Sequence, residues 1–275
     1  MQVAYFKMQG AGNRIIVVDQ RQNNLPPPSS ARLRELGNEV TGPGFDQLMW
    51  VSQSRDVAHA ASYRVFNADG SEVEQCGNGV RCVARILTGD SRHPIAFTLE
   101  SPAGAISARV DDDVVSVSMG SPEFEPAQIP FVADARSTCY ALEVEGQNLE
   151  ICAVSMGNPH CVLQVPDVAS APVEELGPKI EHHARYPERS NVGFMTVLDR
   201  KNIDLRVHER GVGETLACGT GACAAVVSGQ QLGLLDERVN VRLPGGQLVV
   251  SWQGGTEPVW LTGNAELISE GIFDL

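Results

Sequence analysis

Two short stretches of the sequence decide the fold, Cys76-Gly77-Asn78-Gly79 and Cys218-Gly219-Thr220-Gly221. Both have the pattern Cys-Gly-Xaa-Gly, and they are separated by an offset of 142 positions. One glycine-framed cysteine is a weak signal in a chain of 275 residues. A second copy at a fixed offset indicates that the chain contains an internal repeat.

The repeat extends well beyond the two cysteines. The matched positions are Asn67 and Glu209 nine residues before the cysteines, Glu72 and Glu214 four residues before them, and Gly12-Asn13 and Gly157-Asn158 farther upstream. The segments at 15–19 and 161–165, which follow the two Gly-Asn pairs, are also alike. Correspondences in the same order at a nearly constant offset predict two homologous halves.

Local patterns predict strands in each half and a helix directly after each cysteine. The predicted strands include 63–66, 114–119, 203–207 and 248–252, which alternate apolar and polar residues. Apolar residues recur at helical spacing over 80–87, while 222–227 is small and apolar on every side. A helix that is apolar all round must be enclosed by other structure. Shorter helices are predicted at about 29–40 and 172–183, in matching places of the two halves.

These patterns together predict an α+β fold. Each half is expected to be a β-rich sheet or barrel wrapped around a central helix, and the halves are related by a pseudo-twofold axis. Residues 1–120 would form the first half, completed by the tail at 265–275, and residues 121–264 would form the second. The segment at 121–130 is expected to link them. The active site would lie in the cleft between the halves.

Charge and cysteine usage exclude several classes of function. The net charge of −13 argues against nucleic acid or an anionic membrane surface as a partner. The N-terminal residues lack the basic and apolar regions of a signal peptide, so a soluble cytoplasmic protein is expected. Seven cysteines, an odd number, do not suit a disulfide framework. Their spacing does not match a zinc site, and no metal is expected.

Cys76 and Cys218 stand at the expected N-termini of their helices. A helix N-terminus carries partial positive charge, which binds carboxylates and lowers the pKa of an adjacent thiol. Two such termini facing one cleft would hold a substrate carboxylate and place its α-carbon between the sulfurs. Inverting that carbon requires removal of a proton from one face and delivery of a proton to the other. Thiols suit both roles because their pKa lies near the working pH.

The sequence predicts that side chains carry out this chemistry without a cofactor. Gly10-Ala11-Gly12 lacks the third glycine of a dinucleotide-binding fingerprint, and no obvious pyridoxal site is present. The carbanion that develops at the α-carbon would be stabilised by helix N-termini and fixed donors around the carboxylate.

At these residues the chain resembles the diaminopimelate epimerase family over essentially its whole length. The segments that carry the resemblance are Gly10-Ala11-Gly12-Asn13, Gly44-Phe45-Asp46-Gln47, Phe66-Asn67-Ala68-Asp69-Gly70-Ser71-Glu72, Cys76-Gly77-Asn78-Gly79-Val80-Arg81-Cys82, Met156-Gly157-Asn158-Pro159-His160-Cys161, Asn191-Val192-Gly193-Phe194, Glu209-Arg210-Gly211-Val212-Gly213-Glu214 and Ala217-Cys218-Gly219-Thr220-Gly221. The family usually has an acidic residue and Phe after the first Gly-Asn, where this chain has Arg14 and Ile15. That departure puts local packing and charge in question, but not the activity.

The resemblance implies a cofactor-independent isomerase that interconverts LL- and meso-2,6-diaminopimelate, on the route to lysine and peptidoglycan. It implies that Cys76 and Cys218 are the acid/base pair. In the LL-to-meso direction Cys218 would accept the proton and Cys76 would donate one. His160 and Glu209 would be further catalytic residues that tune the thiols. A cytoplasmic homodimer is also implied, with the small-molecule substrate as its ligand.

The substrate-binding residues that the resemblance implies form three groups. The reacting carboxylate would be held by Gly77, Asn78, Gly219 and Thr220. The reacting ammonium would be held by Asn67 and Glu209. The remote end of the substrate would be recognised by Asn13, Gln47, Asn158, Asn191 and Arg210, with Arg210 forming a fork onto a carboxylate.

Two alternative functions remain open at this point. A proline or hydroxyproline racemase of the same fold usually carries His after the first Cys-Gly, where this chain has Asn78. A non-catalytic module that captures amino acids would need the N–H donors of the two helix termini but not two thiols. Proton exchange at the α-carbon separates a catalyst from a binding module.

Overall fold

The computed structural model describes residues 1–23, 25–73, 76–89, 91 and 93–275. The strands are β1 (Gln2–Gly10), β2 (Asn13–Asp19), β3 (Gln47–Ser52), β4 (Ala61–Asn67), β5 (Glu72–Val73), β6 (Ile95–Ser101), β7 (Gly104–Asp111), β8 (Val114–Ser118), β9 (Tyr140–Val144), β10 (Gln147–Ser155), β11 (Pro159–Gln164), β12 (Asn191–Asp199), β13 (Asn202–Glu209), β14 (Gly213–Thr215), β15 (Arg238–Leu243), β16 (Gly246–Ser251), β17 (Trp260–Asn264) and β18 (Glu266–Asp274). The α-helices are α1 (Ser30–Gly37), α2 (Gly77–Thr88), α3 (Val173–Glu181) and α4 (Gly219–Gln231). The order of these elements is that of a β-rich α+β chain.

The chain divides into two units. The first comprises Met1–Ser118 and Thr262–Leu275, and the second comprises Met119–Leu261. The C-terminal strand β18 runs antiparallel to β1, from the pair Gln2 and Asp274 to the pair Gln9 and Glu266. The first unit is therefore built from both ends of the chain, whereas the second is continuous in sequence.

The two units have the same pattern of strand pairing. In the first unit, β1–β2 is antiparallel, β2–β3 is parallel, β3–β4 is antiparallel, and β4 is parallel to β6. The second unit repeats this pattern with β10–β11, β11–β12, β12–β13 and β13–β15. The prediction of two homologous β-rich halves is confirmed.

Each unit has a central helix between two parallel strands. Helix α2 lies on the connection from β4 to β6, and α4 lies on the connection from β13 to β15. The first two turns of α2, Gly77–Ala84, are buried, and so is nearly all of α4. The enclosed helix that the apolar run at 222–227 predicts is therefore present. Among the described residues, none of the helices has the length and apolar character needed to cross a membrane.

The shorter helices α1 and α3 lie in matching places, as the sequence predicts, but they end earlier. Helix α1 stops at Gly37 because Asn38 adopts an extended conformation. Its apolar face, with Leu33 and Leu36, packs with Trp50 in the core of the first unit. Helix α3 ends at Glu181 and buries Val173 and Ile180 in the core of the second unit.

Candidate active site

Cys76 is the N-cap residue of α2 in the first unit. Its backbone is extended, and its Sγ accepts a hydrogen bond from the N–H of Gly79 at 3.2 Å. The thiol is half-buried, while Gly77 and Asn78 in the first helical turn are buried. The sulfur therefore lies where the open backbone donors of the helix converge.

Two close contacts fix the start of α2 against the strands. A Cβ atom on Gly79 would lie 2.4 Å from the Sδ of Met49 in β3, so Met49 would have to move to admit one. A Cβ atom on Gly10 would lie 3.4 Å from the backbone oxygen of Asn78. The side-chain Oδ1 of Asn78 is buried and has no hydrogen-bond partner among the described residues.

The close contact at Gly79 gives a prediction about stability. Gly79→Ala should lower the free energy of unfolding by about 1–3 kcal/mol, because the new methyl group forces Met49 to move within a packed core. Urea unfolding of the two proteins measures this difference. Gly193→Ala is a suitable control, since its nearest neighbour would be an ordinary 3.5 Å contact. An equal loss of unfolding free energy in both variants would show that the contact with Met49 is not the cause.

Three predicted ligands of the first unit lie at one edge of its sheet. Asn13 begins β2, Gln47 begins the parallel strand β3, and Asn67 ends the antiparallel strand β4. Gln47 and Asn67 are direct cross-strand partners, and the Gln47 amide donates a hydrogen bond to the Asn67 carbonyl at 3.1 Å. The Nδ2 of Asn67 donates to Ser71 Oγ at 3.1 Å. The structure thus brings Gln47 and Asn67 together, with Asn13 on the adjacent strand.

Cys218 is the N-cap residue of α4 in the second unit, and only 5% of it is exposed. Burial raises the pKa of its thiol well above the ordinary value, and the nearby Glu209 carboxylate raises it further. Hydrogen bonds from the Thr220 hydroxyl and the Gly221 N–H act in the opposite direction but do not prevail. The expectation that the helix terminus lowers the thiol pKa is wrong for Cys218. Loss of hydration outweighs the hydrogen bonds to the sulfur here.

Glu209 ends β13 and contacts the Cys218 thiol. Burial raises the pKa of its carboxyl group, whereas hydrogen bonds from the Thr215 hydroxyl and the Cys218 thiol lower it. Because the two groups lie together, a negative charge on one of them disfavours ionisation of the other. In the unliganded protein Cys218 keeps its proton.

His160 and Asn158 form a pair at the start of β11. The Nε2 of His160 lies 3.0 Å from Asn158 Oδ1, and the ring is buried. Burial lowers the pKa of His160 to about 3, and the positive charge of Arg210 contributes to this. The imidazole is therefore neutral at physiological pH, and its ring nitrogen orients the Asn158 side chain.

Asn191 joins three segments of the second unit. Its Nδ2 donates to the backbone oxygen of Pro159 at 3.0 Å, and its Oδ1 accepts from the N–H of Arg210 at 3.0 Å. The guanidinium of Arg210 is exposed and donates through Nη1 to the backbone oxygen of Glu188 at 3.1 Å. Asn191 thus positions Arg210, a structural contact that the sequence alone does not predict.

Two further ion pairs were missed by the sequence reasoning. Arg64 forms a bidentate ion pair with Glu72, in which Nε and Nη2 of the guanidinium each donate to a carboxylate oxygen at 2.6 Å. Arg206 forms the equivalent pair with Glu214 at 2.6 and 2.7 Å. These pairs hold the hairpins that carry Asn67 and Glu209. The signal was available, because Arg64 and Arg206 are separated by the repeat offset of 142.

The unusual Arg14 also has a structural explanation. Its guanidinium pairs with Asp46 at 2.8 Å and with Glu39. Its backbone N–H donates to the Asp46 carboxylate at 2.8 Å. These contacts tie the start of β2 to the segment that precedes Gln47, and they account for the charge at this position.

Both units therefore present the same set of groups. Each has a cysteine at a helix N-terminus, backbone N–H groups of a first helical turn, and a polar side chain nine residues earlier in the sequence. N–H groups at a helix terminus can bind a carboxylate, and a carboxylate or carboxamide oxygen can bind an ammonium group. Together with a thiol, such a set can bind an amino-acid head group and exchange a proton with it.

Comparison with known sequences identifies what this chain is similar to. A family profile described as diaminopimelate epimerase matches residues 5–125 and 152–268. A relative from Alkalilimnicola ehrlichii, named diaminopimelate epimerase, is 51% identical over 279 aligned positions that cover 100% of both chains. Another of that name, from Ectopseudomonas mendocina, is 50% identical and covers 98% of this chain and 99% of its own.

Solved structures share the fold at much lower sequence identity. A hydroxyproline epimerase from Agrobacterium vitis has a TM-score of 0.72 at 16% identity, covering 98% of this chain and 92% of its own. A phenazine biosynthesis protein from Bacillus anthracis has a TM-score of 0.69 at 18% identity and covers 100% of both chains. These two likenesses establish the fold class alone.

Proposed function

The chain belongs to the diaminopimelate epimerase family and is an isomerase, and on that premise we propose that it interconverts LL- and meso-2,6-diaminopimelate by moving a proton between two thiols. The observation that carries this proposal is the occurrence of a cysteine at the N-terminus of the central helix in both units. Cys76 and Cys218 are the proposed acid/base pair. A binding module would require the helix termini but not a thiol at each.

The proposed binding mode places the reacting α-carboxylate on the first turns of α2 and α4. Its ligands would be the groups of Gly77, Asn78, Gly219 and Thr220. When the α-proton leaves, negative charge spreads onto this carboxylate, and the partial positive charge of the helix termini stabilises it. The fixed donors need not reorganise during the reaction, which lowers the barrier for a very weakly acidic proton.

The proposed order of events begins with Cys218 protonated. The substrate ammonium binds to Asn67 and Glu209 and offsets the charge of the Glu209 carboxylate. The Cys218 thiolate is then less disfavoured, because part of the repulsion that raises its pKa has been removed. Once the Cys218 thiol has released its proton to water, its thiolate removes the α-proton in the LL-to-meso direction. The Cys76 thiol donates its proton to the opposite face, so the turnover leaves Cys218 protonated and Cys76 as the thiolate.

The remote end of the substrate is assigned to the polar residues around the two half-sites. The proposed ligands are Asn13, Gln47, Asn158, Asn191 and Arg210. Neutral His160 supports this assignment, since it orients the side chain of Asn158. Arg210 supports it as well, because one Nη1 contact to a backbone oxygen leaves further donors of the guanidinium for a carboxylate.

We further propose that the protein is a homodimer located in the cytoplasm. Strand β18 exposes the apolar side chains of Leu267, Ile268 and Ile272, and a single strand with this much exposed apolar surface is typical of an interface. A scattering mass equal to one chain at micromolar concentration would contradict the dimer. Recovery of the protein in a membrane or periplasmic fraction would contradict the location.

The proposed activity is tested by isotope exchange in heavy water. Incubation with LL- or meso-diaminopimelate should remove the α-proton signal from the proton spectrum and form the other isomer. Proline, as a control substrate, should keep its α-proton. Exchange of proline alone would favour the racemase alternative, and no exchange with any of the three compounds would leave only a binding module.

Arg210 gives a prediction about substrate recognition. Arg210→Lys should raise KM for diaminopimelate by about 10- to 100-fold with a smaller change in kcat, since a charge-assisted pair of hydrogen bonds is lost. Steady-state kinetics measures the two constants separately. Arg238→Lys is the control, as this exposed arginine in β15 is not a proposed ligand. A collapse of kcat at unchanged KM would contradict the assigned role.

A further inference from the structure

A buried carboxylate and histidine lie outside the predicted set of site residues. Glu181, the last residue of α3, is 3% exposed, and His208 in β13 is 5% exposed. The Oε2 of Glu181 lies 2.8 Å from the Nε2 of His208. The two side chains come from elements that are 27 positions apart in the sequence.

The position of Glu181 is unfavourable for a negative charge. A helix C-terminus carries partial negative charge, and burial removes the hydration of the carboxylate. Close packing keeps it there, because a Cβ atom on Gly177 would lie 2.6 Å from the His208 ring. Helix α3 therefore rests directly on β13, and a glycine is required at that contact. Such an arrangement needs hydrogen-bond donors to offset its cost.

The second oxygen of Glu181 accepts a hydrogen bond from the turn that follows Glu209. The N–H of Gly211 donates to Glu181 Oε1 at 2.9 Å. The preceding N–H, that of Arg210, donates to Asn191 Oδ1. Two successive backbone groups of this turn are thus held by two buried side chains. These contacts hold Arg210, which lies on the turn, and the residues that directly follow Glu209 at the end of β13.

We propose that Glu181 is a positioning residue for substrate recognition. Its carboxylate, oriented by His208, holds the Gly211 amide and so fixes the turn that carries Arg210 and directly follows Glu209. This inference rests on the proposed function, since it takes the roles of those two residues from there. A displacement of about 1 Å at a binding group lowers the rate about 10²-fold. Glu181 thereby acts on the reaction without touching the substrate.

The test compares three substitutions at one position. Glu181→Ala removes the hydrogen bonds with His208, Gly211 and Arg189, and should lower kcat/KM for diaminopimelate by about 30- to 100-fold. Glu181→Gln keeps an oxygen for Gly211 and a donor for His208, and should stay within about threefold of the unsubstituted enzyme. Glu181→Asp, one methylene shorter, cannot reach both partners, and serves if the alanine variant does not fold. Glu175→Gln, an exposed position on the same helix, is the control and should have no effect.

Hydrogen exchange of the Gly211 amide provides a readout that is independent of the substrate. Loss of protection at 209–213, together with the loss of kcat/KM and rescue of both by glutamine, would support the proposal. In Glu181→Ala, an unprotected Gly211 amide together with a kcat/KM within threefold of that of the unsubstituted enzyme would overturn the proposal. Failure of Glu181→Gln to restore both the protection and kcat/KM would also overturn it. Failure of the proposed function is separate, because the unsubstituted enzyme would then not exchange the α-proton.

Discussion

Epimerisation of diaminopimelate should fall by about 10³-fold or more in both Cys76→Ala and Cys218→Ala, since general acid–base catalysis by one positioned group contributes about 10²- to 10⁴-fold. The two losses should be of similar size, because the proposed reaction needs a base on one face and an acid on the other. Conversion of LL- to meso-diaminopimelate in a coupled or chromatographic assay measures both.

Controls for this result come from the other cysteines. Cys139→Ala removes a half-buried thiol in the second unit that has no proposed role, and its turnover should remain within about twofold. Circular dichroism and thermal unfolding confirm that the variants are folded. Near-normal turnover in either the Cys76 or the Cys218 variant would contradict the two-base reaction.

Glu209→Gln should have two opposite effects on the same site. Turnover should fall by about 10²-fold, because the proposed ammonium ligand loses its charge. The Cys218 thiol should at the same time become more reactive in the unliganded protein. The carboxylate of Glu209 raises the pKa of that thiol, so its removal lowers the pKa and increases the thiolate fraction at a given pH.

Alkylation by iodoacetamide followed by peptide mass spectrometry measures the second effect. The pH at which the alkylation rate of Cys218 reaches half of its maximum should be lower in Glu209→Gln than in the unsubstituted protein. Glu257→Gln, an exposed position in the same unit, should leave it unchanged. A shift to higher pH, or no shift, would show that the Glu209 charge does not control this thiol.

The architecture could be predicted from the sequence because the apolar periodicity is a local signal and the repeat can be read by aligning the chain with itself. The four strands named from alternation lie within β4, β8, β13 and β16 or extend one residue past them, and both central helices follow from helical spacing and the two Cys-Gly-Xaa-Gly stretches. The ends of the shorter helices were less predictable. The extended backbone of Asn38, for example, depends on the path of the following segment rather than on the pattern of α1.

The chemistry of the site was predictable in its residue types but not in its energetics. The helix terminus at Cys218 suggests a lowered thiol pKa, yet burial and Glu209 reverse the direction. The extent of burial arises from packing of the whole second unit. The link from Glu181 to Gly211 likewise joins residues 30 positions apart, and a glutamate at a helix end gives no signal of such a contact.

The pairing of β18 with β1 has a consequence for the order in which the protein is made. Leu275 donates its N–H to the backbone oxygen of Met1 at 2.8 Å, so residues far apart in sequence are neighbours here. During synthesis on the ribosome, the first unit lacks the β1 partner strand β18 until Glu266–Asp274 has emerged. The second unit, continuous over Met119–Leu261, has all of its strands earlier. The unit whose synthesis begins first is thus the unit whose sheet is completed last.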